Sequence, residues 1–504
     1  MLPDFRGGKI FKMDTKEWLE ENPTLKKFKS KHPALAGFFG KRLSKNKPYG
    51  LKFTGGLLLS FVLFFIFLEI TFDVIAKEVS ATDMSIMNFV YIFRNLSFAK
   101  YFLFFTDIGD WQGVVIFGIV FILFLLMMGK RREAIFSSFT LLFGEMSYAL
   151  IKIIIARPRP SIFYSLVPRS GFSFPSGHSV GSMVFYGFTG YLIMRMLKKR
   201  SLKYLVLIAT AVIILSIGFS RIYLGVHWTS DVLGGWTLGL SIAVFSAFLL
   251  KEAEGKRPRD EKPVFDKKYI YLLTAVLFVL SASFVFYFYR YNPLEYKASP
   301  PAPNPVFLGS GSSLYDLISE NGFPRFSQSI AGTPMEPMSF VVIGSKESLV
   351  AAFEKEGWVV ADPPTTSNFI KLGIAALTGS SYPAAPASPS FLNAEPQLLT
   401  FEKDVGGTFK VRHHTRFWRT NFYYGGSPVW VASASFDEGL QKYLIYHKIS
   451  PDIDTERDYI NNDLMSSGFL ASEIEIQFVK PMMGHNFAGD VFFTNGKAYI
   501  ITLR

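Results

Sequence analysis

The chain has 504 residues, a net charge of +13 and no cysteine, so disulfides and thiolate metal sites are excluded while the compartment stays undecided. Apolar residues make up 49%, which points to a protein held partly in a membrane. The basic residues cluster beside apolar runs, the pattern of membrane topology and not of nucleic-acid binding.

Residues 1–50 carry 12 Lys/Arg against 5 Asp/Glu. Trp18, Leu19, Leu25, Phe28, Leu35, Phe38 and Phe39 are scattered among them. The segment reads either as one or two helices on an anionic membrane face or as a loosely ordered cytoplasmic tail. No secretory signal is expected, because the first apolar run begins near Leu51 and is long enough to stay as an anchor.

Seven stretches approach the ~20 residues a bilayer requires. They are Phe53–Phe72, Trp111–Gly129, Ala134–Ile155, Ser179–Met196, Tyr204–Tyr223, Val232–Leu250 and Tyr269–Tyr289. The run Ile86–Phe105 is also apolar, but Arg94 and Lys100 interrupt it, and it reads as an interfacial or re-entrant helix. With the N-terminus inside, the inner segments hold Lys130-Arg131-Arg132, five cations from Arg195 to Lys203 and seven from Lys251 to Lys268, whereas 73–110 has three cations and five acids. That asymmetry sets the orientation. It sends everything after Tyr289 to the outside.

Residues 251–290 form an inner loop and the seventh span. Residues 291–338, rich in Pro, Gly and Ser, read as a semi-rigid spacer. From 339 to 504 the pattern becomes that of a soluble α+β domain. Strands are expected at Phe340–Ile343, Leu398–Phe401, Phe409–Phe417, Val429–Ser433, Ile474–Val479, Val491–Thr494 and Ala498–Thr502. Helices are expected at Lys346–Glu356, Asn368–Leu377 and Thr455–Ser466. The predicted fold is a multi-pass all-α membrane helix bundle followed by a soluble α+β domain.

Three polar blocks sit at the ends of apolar runs, all on the outer face by the charge rule. Lys152 lies near the end of the third span, where an ionisable group is costly and suggests function. Arg159 follows in Arg157-Pro158-Arg159-Pro160, and an arginine there can grip two phosphate oxygens. Interfacial snorkelling is the plainer alternative. Pro175-Ser176-Gly177-His178 opens the fourth span: Ser176 suits an N-cap, Gly177 allows close backbone approach to an anion, and His178 is placed to protonate a leaving group. His227 and Asp231 lie one helical turn apart, with Arg221 six residues before the histidine. A carboxylate on one ring nitrogen would fix the tautomer and free the other nitrogen to attack, although a structural His–Asp cap fits the same spacing.

Taken together, Lys152-x6-Arg159-Pro160, Pro175-Ser176-Gly177-His178 and Ser220-Arg221-x5-His227-x3-Asp231 resemble the three-part signature of the type 2 phosphatidic acid phosphatase superfamily. The resemblance covers roughly residues 51–250. It implies a six-helix phosphatase core, here with one extra span. It also implies that Lys152, Arg159, Arg221, Ser176 and Gly177 bind phosphate, and that His227 is the nucleophile that forms a phosphohistidine. Asp231 would orient it and His178 would be the general acid. No metal or cofactor is implied. The haloperoxidase branch of the superfamily does not suit a membrane-embedded core.

Glu145, seven residues before Lys152 on the same helical face, is left to pair inside the bundle or to line a headgroup cavity. In the outer domain, His413 and His414 would point to opposite faces of a strand. His414 and Arg416 share a face and, with His447, Asp452 and Asp454, form either a structural network or a ligand site. Asp454 suits the N-cap of the following helix. The segment resembles the LssY-type C-terminal domain. The expected function is hydrolysis of a phosphorylated lipid at the outer face of the cytoplasmic membrane, with no nucleic-acid partner. Undecaprenyl pyrophosphate, phosphatidylglycerol phosphate, phosphatidic acid and lipid A phosphates all fit. The alternatives are a phosphotransferase with a lipid or sugar acceptor, and a membrane anchor for the outer domain.

Overall fold

The computed structural model describes residues 23–44, 50–168, 170–255, 263, 265–291, 294, 303–308, 318, 323–378, 380–406, 408–440, 447–486 and 488–504. Trp18 and Leu19 of the N-terminal segment lie outside these residues. The rest of that segment contains helices α1 (Pro23–Lys31) and α2 (Pro33–Arg42). Leu35, Phe38 and Phe39 are about half exposed on α2.

The helices that follow are α3 (Leu51–Ala76), α4 (Ser80–Ile92), α5 (Leu96–Gly109), α6 (Trp111–Met127) and α7 (Arg131–Ile155). Next come α8 (Gly177–Ser182), a π-helical segment at Met183–Gly187, α9 (Phe188–Met196), α10 (Arg200–Tyr223), α11 (Thr229–Gly255) and α12 (Lys267–Tyr291). Among the described residues, five helices are long and apolar enough to cross a membrane, or six if α5 and α6, bent by 53°, are one broken span. That is fewer than the seven expected. The fourth expected span is helical, but it begins in a polar Ser-Gly-His-Ser run and passes through the π segment.

Ile86–Phe105 is not one helix. Asn95 breaks it, capping α5 by accepting the Phe98 N–H, while Arg94 donates to the Tyr164 carbonyl at 2.7 Å. The Asn95 cap satisfies an N–H that a continuous helix would not leave free, and Arg94 fixes the loop that holds Tyr164. The lipid-facing sides of α3, α7, α10 and α12 carry exposed Leu, Ile and Phe, the reverse of a soluble bundle.

The C-terminal domain is built on a nine-stranded sheet. Its strands are β1 (Val306–Leu308), β2 (Phe340–Ile343), β3 (Val359–Val360), β4 (Leu399–Val405), β5 (Thr408–Tyr424), β6 (Ser427–Leu440), β7 (His447–Ile449), β8 (Leu470–Gln477) and β9 (Lys497–Leu503). The order is β8-β9-β2-β6-β5-β4-β3, with β1 on β5 and β7 on β6. The β2–β9 and β1–β5 pairs are parallel. Strand β1 lies inside the stretch read as a spacer, so part of that stretch belongs to the sheet.

Residues alternate along β2. Phe340 and Val342 pack with Leu349 and Phe353 of α13 (Lys346–Lys355) and with Ile460 and Leu464 of α15 (Ile453–Ser466). Val341 and Ile343 face a second core with Trp418, Val429 and Ile500. Both sides are buried, so the central strands read as continuous apolar runs. Helix α14 (Thr366–Thr378) packs a small cluster around Ala375 and Tyr382.

Phe401 is fully buried and stacked on Phe353 with ring centroids 4.1 Å apart. Its replacement by alanine should cost about 3–5 kcal/mol of outer-domain stability. A denaturant titration would read this as a lower midpoint, and an unmoved midpoint would contradict the packing.

Candidate active site

The polar blocks meet at one end of the helix bundle because α7 and α10 end there and α8 and α11 begin there. Two glycines permit the approach. Gly225, at φ 71°, makes the turn before His227 so tightly that a Cβ would lie 1.8 Å from the Tyr164 carbonyl oxygen. Gly235 lets α11 lie flush on α8, where a Cβ would meet Ser179 at 2.7 Å and the Ser176 carbonyl at 2.8 Å.

His227 and Asp231 pair as the spacing predicts. His227 Nδ1 is 3.2 Å from Asp231 Oδ2, which also accepts the Trp228 N–H at 2.9 Å. Arg159 Nη1 lies 3.1 Å from His227 Nε2. A guanidinium can only donate, so Nε2 must present its lone pair and Nδ1 must carry the proton given to Asp231. Arg159 also donates to the Val226, Ser170 and Gly171 carbonyls. The cations acting most strongly on His227 are Arg159, Arg221 and Lys152, in that order.

Arg221 is buried and donates through Nη1 to the Thr106 hydroxyl, while its Nε has no partner. Lys152 lies over the Tyr148 ring at 5.7 Å. His178 has Nε2 3.7 Å from Asp110 Oδ1. Ser176 caps α8 by accepting the Ser179 N–H, and its own N–H donates to the Asp231 carbonyl at 3.0 Å. Gly177 is covered by the Tyr148 ring, which a Cβ would meet at 2.9 Å. Glu145 packs beside Gly181, where a Cβ would meet its Oε1 at 3.1 Å. Three cations and two imidazoles are therefore gathered at one end of the bundle, with Arg221 and His227 buried and Lys152, Arg159 and His178 partly exposed, an arrangement that matches a tetrahedral dianion.

Two residues outside the expected set belong to this cluster. Arg157 donates to Asp231 Oδ1 and to Ser230 Oγ, both at 2.7 Å, and to Asp83 Oδ2 at 2.7 Å. Asp83 stands on α4, far from every polar block in sequence. Arg157 was visible beside Arg159, but nothing in the sequence distinguished their targets.

The residues of the C-terminal domain divide as alternation predicts. His413 faces α15, 2.7 Å from Glu456 and stacked on Tyr459. His414 faces the other side, with Nδ1 3.1 Å from Asp437 Oδ1, and His447 Nδ1 is 3.1 Å from Asp437 Oδ2. The α15 N-cap is Asp452, not Asp454, which instead binds Arg457, Thr494 and Asn495. Asp452 and Asp454 thus stand apart from the His414 group. A cavity of about 200 Å³ is lined by Arg412, Arg416, Asp437 and His447 among others. Among the described residues, no group of three or more His, Asp or Glu side chains is disposed to hold a metal ion.

Residues 133–253 match the PAP2 superfamily and residues 320–498 match the LssY C-terminus, so the chain carries one domain of each kind. Phosphatidylglycerophosphatase B of Bacillus subtilis (strain 168) is 42% identical over 111 residues, which cover 22% of this chain and 52% of that protein. Undecaprenyl-diphosphatase of Sulfolobus acidocaldarius is 33% identical over 121 residues, covering 22% and 52%. The chain spans about half the length of these curated relatives. A crystal structure of a transmembrane PAP2 type phosphatidylglycerolphosphate phosphatase from Bacillus subtilis is 29% identical, with a TM-score of 0.35, covering 40% of this chain and 98% of that one.

Burial pushes the His414 imidazole from 6.5 down to about 4, against the pull of Asp437 and with Arg416 and Arg412 adding to the fall. The unfolded chain then binds the proton more readily, so outer-domain stability falls as pH drops from 6.5 toward 4. A His414→Gln variant should show a shallower fall in Tm over that window; an equal slope would place the proton elsewhere.

Proposed function

We propose that this multi-pass membrane protein is a lipid-phosphate phosphatase that hydrolyses a phosphorylated lipid headgroup through a phosphohistidine. The observation that carries this reading is His227, whose Nε2 accepts from Arg159 at 3.1 Å while its Nδ1 faces Asp231 at 3.2 Å, with Arg221 and Lys152 near enough to act on the ring. An anchor for the outer domain would need no such arrangement. The names of the similar proteins favour phosphatidylglycerol phosphate and undecaprenyl pyrophosphate as substrates.

Lys152, Arg159 and Arg221 take the phosphoryl oxygens and stabilise the charge that spreads over them in the transition state. Ser176 and Gly177 complete the seat from the start of α8. Nε2 of His227 attacks phosphorus. The N–P bond forms as the bond to the lipid oxygen breaks. Asp231 holds the Nδ1–H and balances the charge that develops on the ring. His178 gives its proton to the departing oxygen and later takes one from the water that cleaves the N–P bond. Transfer to a second lipid or sugar would share the first half of this cycle.

His227→Ala should lower phosphate release from a lipid monophosphate to background, and His178→Ala should lower kcat about 100-fold or more, with both proteins still inserted. Full turnover by the His227 variant would remove the nucleophile assignment. The charge asymmetry of the loops supports a site on the outer face of the cytoplasmic membrane. A reporter fused after Tyr289 should therefore read as extracytoplasmic, and a cytoplasmic signal would reverse the topology.

A further inference from the structure

The Asp231 carboxylate has two oxygens with different duties. Oδ2 serves His227 and the Trp228 N–H, and Oδ1 takes Arg157. The other prong of Arg157 reaches Asp83, which also accepts the backbone N–H of Ser230 at 2.9 Å and its hydroxyl. Asp83 is 2% exposed and Asp231 fully buried. One guanidinium therefore ties α4 to the first turn of α11, with Asp231 and then His227 at the end of the line.

The same α4 is the seat of the outer domain. Five residues beyond Asp83, Asn88 donates to the Ala394 carbonyl at 3.0 Å and to Glu395 Oε1 at 3.1 Å. Asn393 and Ala394, both at positive φ, form the turn that presents this carbonyl. Phe89 meets Phe391 edge-on with centroids 6.5 Å apart, and Phe93 stacks on Phe369 at 6.0 Å. On the membrane side, Asn88 accepts the Tyr164 hydroxyl at 2.6 Å. Along a helix, five residues are only about 7.5 Å. A shift of α4 against the bundle would reach Asp83 almost undiminished.

We propose that Asp83 and Arg157 are positioning residues for the His227–Asp231 pair, and that the outer domain holds them in register by its grip on α4. This rests on the phosphatase reading for its kinetic consequence, but the geometry it concerns is independent of the substrate. Loss of the Asp83–Arg157 link leaves the phosphate-binding cations in place and loosens the imidazole. It should lower the rate of attack and leave ground-state binding nearly untouched.

The test uses the full-length protein in detergent micelles with a lipid monophosphate. Asp83→Asn and Arg157→Gln should each lower kcat by about tenfold or more with KM changed less than about twofold. Arg157→Lys, which keeps the charge but has no fork to span both carboxylates, should recover only part of the loss. On the outer-domain side, Glu395→Ala combined with Phe369→Ala should lower kcat about threefold at constant KM and should add nothing in the Asp83→Asn background.

A second readout needs no turnover. Vanadate, which bonds to the imidazole, should bind the Asp83 and Arg157 variants at least tenfold more weakly, while inorganic phosphate binds within about twofold of the parent. Unchanged kcat or unchanged vanadate affinity in Asp83→Asn overturns the positioning role. Unchanged kcat in the Glu395/Phe369 double variant overturns the outer domain's part. A parent protein that binds vanadate but releases no phosphate from lipid overturns the phosphatase reading instead, and the vanadate comparison then decides this one alone.

Discussion

Burying Asp231 among apolar helices costs several kcal/mol unless its charge is matched and its lone pairs are filled. The structure meets that constraint with Arg157, His227 and the Trp228 N–H, and matches Arg157 in turn with Asp83. The partners come from three different pieces of chain: Arg157 from the segment after α7, His227 and Trp228 from the turn before α11, and Asp83 from α4. The end of the bundle is thus knitted together by one charge that has to be satisfied. Removing any single partner would leave a buried ion exposed to low dielectric, the costly case for such clusters.

The same requirement explains why the site is built from short, irregular backbone. Gly225 and Gly235 allow turns and helices to approach more closely than side chains would permit. The prolines at 158 and 160 end α7 and direct Arg157 and Arg159 to different targets. The π-helical segment at Met183–Gly187 interrupts the helix that begins with Ser176 and His178. The apolar spans supply a rigid frame, and the departures from regular helix supply the aim.

Much of this was legible in the residues. The three blocks announce themselves because ionisable groups at the ends of apolar runs are expensive. Likewise Phe340–Ile343 and Val491–Thr494 are strands because β-branched and aromatic residues run uninterrupted between turn residues. What the sequence hid was long-range pairing. Asp83 is one acid among five in 73–110, and only the fold brings it to Arg157. Strand β1 was obscured by its Pro-rich surroundings, since pairing with β5 is a tertiary event that overrides local composition. The Asp452 cap was missed for a smaller reason: both acids at that helix start suit the position, and backbone geometry alone selects one.

Arg159 touches the nitrogen that would attack phosphorus. While that contact lasts, the nucleophile is masked. An anion that draws the guanidinium onto its own oxygens would uncover the lone pair by the same movement that seats it. Neutral electrophiles lack the charge to lift this cover. On the proposed mechanism, the imidazole would be shielded from neutral electrophiles and uncovered by a phosphoryl anion.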